Sequence, residues 1–406
     1  MVWMTAAEAL DVLNVRPQTL YANVSRGKIR AKPDQEDPRR SLYHRDDVLR
    51  MARRANGRRK VDIVSSEAMQ YGDPVLSSAI STALDGRLLY RGHDAATLAD
   101  TASLEDIAAL LWECSPDESA AIWAASRETP PSQQPTDAGT AAGDSGNALA
   151  AGLLVLARRS AVDAPSLGRP AAELRAEAAS VLISLAGAMA GGISDDGGGG
   201  ASTTISQRLA RAWRAETHED LIRRALVLMA DNELNASTFA TRVAISTGAS
   251  LAAGVLAGFT TLTGPLHGGA AQQFAELITH AQASNASEAV KNWLASKRPL
   301  PAFGHPLYRD GDPRAKALLK YLPKVQLHEA LTVAAEQQAG ELPNIDYALS
   351  LLTTACGLPK DAPFILFAVG RCAGWLAHAL EQVRANRLIR PRANYTGPAP
   401  INAGIY

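Results

Sequence analysis

A mainly α-helical fold, headed by a small module of helices and short strands, is the class this 406-residue chain predicts. Three observations predict it. Ala, Leu and Val dominate while aromatic residues make up only 5%, which favours helices over sheets. Apolar residues recur at helical spacing behind an N-cap, as in Ser103-Leu104-Glu105-Asp106-Ile107-Ala108-Ala109-Leu110-Leu111-Trp112. Extended pieces are short and stand in the head and just after Val61.

In the head, Thr5 with Glu8 forms a capping box. Ala6, Ala7, Leu10, Val12 and Leu13 follow at roughly helical spacing as a first helix. Asn14-Val15-Arg16 is a turn, and Pro17 suits the first position of a second helix reaching about Ser25. That helix presents Gln18, Thr19, Tyr21, Ala22 and Asn23, and Gly27 stops it. Lys28-Ile29-Arg30-Ala31 reads as a strand paired with Ser41-Leu42-Tyr43-His44. Asp46 and Asp47 open a third helix, and residues 53–60 read as a basic linker. Two helices, a tight turn and a basic hairpin form a winged helix-turn-helix pattern. Thr19-Leu20-Tyr21 followed by Ser25-Arg26-Gly27-Lys28-Ile29-Arg30 resembles the MerR/excisionase type. The resemblance implies DNA as a partner of residues 1–60, with Arg26, Arg30, Arg39 and Arg40 on phosphates. The alternative is a helical module kept for dimerisation.

Charge separates the head from the rest. Residues 1–60 carry fourteen Lys and Arg against seven Asp and Glu, although the whole chain is neutral. A basic head on an acidic body suggests separate partners. Residues 126–147 are rich in Pro, Gly, Ser, Thr and Gln and read as a loop, as does Gly191 to Gly200. The second loop lacks the GxxxxGK[ST] pattern and contains Asp195 and Asp196, which argues against phosphate binding. Three scattered cysteines without CxxC spacing point to a reducing, cytoplasmic setting. Eight histidines without an HxxxH or HExxH pair predict no metal. No run of about 20 apolar residues predicts a membrane span.

Three blocks carry the chemistry: Gly264-Pro265-Leu266-His267-Gly268-Gly269-Ala270, Phe303-Gly304-His305 through Asp312-Pro313-Arg314, and Pro343-Asn344-Ile345-Asp346-Tyr347. They supply two imidazoles and a carboxylate beside Gly or Pro, a set able to make an enol from a thioester and add it to a ketone. Together with Asp85-Gly86-Arg87 through His93, Glu233-Leu234-Asn235-Ala236-Ser237-Thr238-Phe239, Gly370-Arg371 through His378 and Arg390-Pro391-Arg392, they resemble the citrate synthase family over roughly residues 61–406.

The resemblance implies an all-helical, two-domain, dimeric body. Its large domain would be 61–267 plus 359–406, its small domain 268–358, and its active site the cleft between them. It implies condensation of an acyl-CoA with oxaloacetate, without a permanently bound cofactor. Asp346 would be the general base, although an Asp after Pro-Asn also suits a helix N-cap. His267, before a helix N-terminus that favours a neutral imidazole, would stabilise the enol. His305 would polarise the ketone. Arg314, Arg371 and Arg390 would hold the oxaloacetate carboxylates, Arg390 from across the dimer, and Arg309 would contact CoA phosphate. Asn232 stands where the family usually has an oxaloacetate-binding histidine. It keeps an amide donor but not an imidazolium charge, which predicts weaker oxaloacetate binding or a shifted keto-acid preference. Acetyl-CoA giving citrate is the first expectation and propionyl-CoA giving 2-methylcitrate the second, since one methylene is worth only about 1–3 kcal/mol. A reading from another class is a DNA-binding regulator that senses oxaloacetate or CoA through an inactive body. A mere sensor has no need of the base.

Overall fold

The computed structural model describes residues 3–13, 15–26, 28–34, 37, 40–56, 76–128, 147–191, 203–308, 310–393 and 397–398. The chain divides into two compact units, Met1–Ser77 with Pro391–Tyr406, and Ser78–Arg390. The expected head boundary after residue 60 lies outside the described residues, as do 129–146 and 192–202 from the two expected loops, together with Asn14, Gly27 and Arg39.

In the first unit, β1 (Trp3–Met4), β2 (Ala31–Pro33) and β3 (Ser41–His44) form a three-stranded antiparallel sheet of order β1-β3-β2; α1 (Ala6–Leu13) and α3 (Arg45–Asn56) pack on β3 and on each other, and α2 (Pro17–Ser25) packs on α1. Thr5 and Glu8 cap α1 reciprocally: Thr5 N donates to Glu8 Oε2 at 2.8 Å and Glu8 N to Thr5 Oγ1 at 3.4 Å. Met4, Ala9, Leu13, Leu20, Ile29, Tyr43, Val48 and Ala52 form the core. Two expectations need correction, and one strand had no expectation. The first hairpin strand is β2 (Ala31–Pro33), three residues late, against β3 (Ser41–His44). Ile29 is drawn into the core instead, and Arg30 N and Nε both donate to Asp47 Oδ2. A two-residue strand β1 (Trp3–Met4), too short to carry a period, pairs with β3. Residues 53–56 belong to α3 rather than to a linker.

The second unit opens with a meander of β4 (Ser81–Leu84), β5 (Arg87–Tyr90) and β6 (His93–Asp94). Asp85 and Gly86 both have positive φ, 50° and 72°, which suits a two-residue turn matching the strand twist. Helices follow: α4 (Ala95–Leu98), α5 (Leu104–Trp112), α6 (Pro116–Glu128), α7 (Ala148–Val162) and α8 (Ala171–Met189). The expected loop at 126 thus begins after Glu128. Next come α9 (Ile205–Ala212), α10 (Glu219–Met229), α11 (Ala236–Ile245) and α12 (Leu251–Leu262). Ser103 caps α5 in a reciprocal box with Asp106. The remaining helices are α13 (Ala270–Ala283), α14 (Ala286–Ala295), α15 (Pro313–Leu319), α16 (Gln326–Ala339), α17 (Ile345–Cys356) and α18 (Ala362–Ala385). Helix α13 packs on α14, α16 and α17, and α15 packs on α17 and α10.

Helix α18 is the axis of the core, packed against α5, α8, α10, α11, α12 and α17. By length and composition it passes for a membrane span, although Arg371 and His378 interrupt it, so no unbroken run of about 20 apolar residues is present there. However, 89% of its apolar window is buried within the protein, as in a core helix.

Candidate active site

The site begins where α18 passes the end of α10. A Cβ at Gly370 would meet Leu226 O and Met229 Cβ, each at 2.8 Å, so glycine is what lets the two helices approach. The next residue, Arg371, is fully buried. Its Nε donates to Met229 O at 3.0 Å, while its Nη2 is buried without a partner among the described residues. Burial, opposed by Asp231 and aided by Arg314, lowers its pKa to about 10, so it stays charged at neutral pH. Two turns on, His378 Nε2 lies 3.2 Å from Asp231 Oδ2, which also accepts a hydrogen bond from Ser81. Burial pushes the Asp231 carboxyl up, but His378, Arg371 and Ser81 together hold it below its ordinary value.

After Asp231 the chain turns through Glu233, at φ 56°, into α11. Glu233 Oε1 accepts from Ala83 N at 2.5 Å, tying the turn to β4. Asn235 caps α11 by accepting from Thr238 N. Ser237 Oγ donates to Asn235 Oδ1 at 2.7 Å, accepts from Trp375 Nε1 at 3.1 Å, and lies 2.8 Å from His267 Nε2. His267 sits in the turn before α13. Burial, then the charge of Arg371, lowers its pKa to about 4, leaving a neutral imidazole.

His305 lies in a loop stitched to the segment leading into α17. Gly304 N donates to Leu342 O at 2.8 Å, and Asn344 Nδ2 donates to Gly304 O at 2.9 Å. Leu307 N donates to His305 Nδ1 at 3.2 Å, so in the neutral ring the proton resides on Nε2. Burial and the charge of Arg314 bring His305 to about 4. Asn344, not Asp346, caps α17, accepting from Asp346 N at 3.0 Å. Asp346, in the first helical turn, is thereby released from capping. Burial outweighs the nearby arginines and lifts its pKa to about 6.

Arg314 is clamped in a buried ion pair. Its Nε and Nη2 donate to the two oxygens of Asp312 at 3.0 and 2.8 Å, and both residues are buried. Asp312 Oδ2 also accepts from Ile345 N at 3.1 Å, so one carboxylate joins the arginine to the helix bearing Asp346. Burial pushes the Asp312 carboxyl up, but Arg314 holds it below its ordinary value; burial in turn lowers Arg314, and Asp312 more than restores it.

His267, His305 and Asp346 are thus gathered in the field of Arg371, and the last two also in that of Arg314. Asn232 joins them through Tyr308, whose hydroxyl donates to its Oδ1 at 2.7 Å. Arg390 is exposed on the coil after α18 and is not part of the cluster within one chain. Arg309 lies outside the described residues. Sequence reasoning passed over Asp231, Ser237, Tyr308, Asp312 and His378, although all but Asp231 lie inside the quoted blocks, because nothing in a motif shows which neighbour holds which. It also passed over Glu341, whose Oε2 is buried without a partner and which lines a cavity of about 200 Å³ with His305, Tyr308 and Asp312. A larger cavity of about 600 Å³, between Trp112, Arg175 and Arg384, touches none of the expected site residues.

Residues 70–392 match the family model described as citrate synthase, C-terminal domain. Citrate synthase 2 of Bacillus subtilis is 38% identical over 190 residues, covering 43% of this chain and 50% of the relative. The chain spans about half the length of the curated relatives it matches. Citrate synthase from Thermotoga maritima is similar in structure, with a TM-score of 0.65 and 26% identity over 82% of this chain and 96% of that one. A Thermoplasma acidophilum citrate synthase, in ternary complex with carboxymethyl coenzyme A and oxaloacetate, shares the fold with a TM-score of 0.63 at 24% identity, over 81% of this chain and 95% of that one.

Proposed function

Because this chain belongs to the citrate synthase family, we propose that its second unit condenses an acyl-CoA with oxaloacetate and hydrolyses the thioester formed. The observation that carries the reading is the pairing of two neutral imidazoles with a carboxyl poised near pH 6, all beside buried guanidinium groups. Acid–base chemistry at neutral pH needs groups poised in this way. Asp346 takes a proton from the carbon next to the thioester carbonyl. His267 donates to the enol oxygen from Nδ1–H, the tautomer reached when the Ser237 hydroxyl turns from Asn235 Oδ1 to donate to His267 Nε2. The enol carbon attacks the ketone of oxaloacetate while His305 Nε2–H donates to the forming alkoxide. Water then cleaves the thioester, releasing the tricarboxylic acid and free CoA.

Arg371 Nη2 and Arg314 Nη1, the donors not used by Met229 or Asp312, suit the two carboxylates of oxaloacetate. Arg390 completes the set from a second subunit of a homodimer, and Arg309 meets CoA phosphate. Residues 268–358 act as the small domain that closes on 61–267 plus 359–406 and expels water. Acetyl-CoA is the preferred donor and propionyl-CoA its nearest competitor. CoA thiol release from each, with and without oxaloacetate, is the test. Oxaloacetate-dependent release that disappears in Asp346→Ala is expected, and the ratio of rates names the product. Bound oxaloacetate without release would favour the sensor.

For the first unit we infer a DNA-binding winged helix-turn-helix. Gln18, Thr19 and Tyr21 of α2 are exposed, as are Arg26 and Lys28 after it, which leaves a polar helix face beside positive charge. Arg30 pairs with Asp47 and Arg40 with Asp37, so phosphate contact falls first to Arg26 and Lys28. Anisotropy with mixed genomic fragments is expected to show binding that weakens steeply with salt. Absent or salt-independent binding defeats the idea.

A further inference from the structure

The substitution of Asn232 for a histidine has a partner that the reaction as proposed leaves unused. Tyr308 O–H donates to Asn232 Oδ1 at 2.7 Å, with only 3% and 7% of the two residues exposed. The Tyr308 ring stands 4.7 Å from that of His305, and the Arg314 guanidinium lies 5.6 Å from its centroid. Tyr308 therefore bonds Asn232 and stands beside the other two groups that would surround a bound keto acid. A carboxamide can present either of its ends to a ligand. Here the phenolic proton engages Oδ1, which leaves Nδ2 as the end available to a ligand. The reverse orientation would set a carbonyl oxygen against an anion. Burial holds the phenol at about 12, so it remains a donor across the working range.

We propose that Tyr308 is a positioning residue that locks the Asn232 carboxamide in its donor orientation, so that the site recognises an anionic 2-keto acid through a neutral N–H pair in place of an imidazolium. This deepens the condensing-enzyme reading and rests on it. Recognition at this position would not titrate between pH 5 and 8, where a histidine would.

The test is a double-mutant cycle on the full chain: wild type, Tyr308→Phe, Asn232→Ala and the double variant. Oxaloacetate affinity is measured by calorimetry and turnover by CoA release. Tyr308→Phe is expected to raise KM and Kd for oxaloacetate about tenfold with kcat changed less than twofold, the signature of lost substrate binding. Asn232→Ala is expected to do the same or more, and adding Tyr308→Phe to it to cost nothing further. Asn232→Asp still accepts from Tyr308 but faces the keto acid with a carboxylate. It is expected to bind as poorly as Asn232→Ala, and the circular dichroism of each variant, Tyr308→Phe included, is required to match wild type. Losses that multiply in the double variant, or an unchanged Kd in Tyr308→Phe, overturn the lock. Binding with the expected coupling but no turnover overturns the condensation reading alone. No oxaloacetate binding by the wild type overturns both.

Discussion

Asp346→Asn is expected to lower oxaloacetate-dependent CoA release by about 10²–10⁴-fold while making the protein more stable at neutral pH. Both effects come from one cause. Burial lifts the carboxyl from 3.8 to about 6. The folded state therefore keeps this proton up to about pH 6, whereas the unfolded chain loses it near 4. The stability that the group contributes below pH 4 is lost as pH rises through 6, amounting to about 3 kcal/mol above that point. An amide escapes this loss, so the melting temperature of Asp346→Asn should exceed that of wild type by several degrees at pH 7.5 and match it at pH 4. In the wild type, kcat/KM should fall below pH 6 with a slope of one. The imidazoles, near 4, are already neutral there and add no limb of their own. A flat profile from pH 5 to 8, or a destabilised Asn variant, would show that this carboxyl is not strained by burial.

Asp312→Ala should produce the largest loss of stability of any substitution near the site, about 3–5 kcal/mol in a denaturant titration. Its carboxylate neutralises Arg314 through two hydrogen bonds and accepts Ile345 N besides. Removing it leaves a buried guanidinium and an amide hydrogen without partners. Whatever protein still folds should need far more oxaloacetate for half-saturation, because Arg314 is no longer aimed. Asp312→Asn keeps an acceptor for Ile345 N but not the charge, and should fall between the two. A loss below about 1 kcal/mol for the Ala variant would mean that Arg314 finds another partner or stays solvated.

Much of this could be read in the chain because the signals are local. Thr5 with Glu8, and Ser103 as an N-cap, act within four residues, and each appears as expected. The blocks around His267, His305 and Asp346 are likewise contiguous, so the residue types for the chemistry were visible before any fold. Errors arose where contacts are distant. The head's strand moved because Ile29 prefers the core and Arg30 prefers Asp47, seventeen residues away.

The sequence alone determined the family, the helical class, and which side chains can serve as base and hydrogen-bond donors, because these follow from residue type and short-range spacing. Only the tertiary structure decided their working states. Burial lifts Asp346 and neutralises both histidines, the Leu307 amide selects the His305 tautomer, and Tyr308 orients Asn232 from seventy-six residues away. Those are properties of a side chain's surroundings, and the surroundings come from parts of the chain that meet only when it folds.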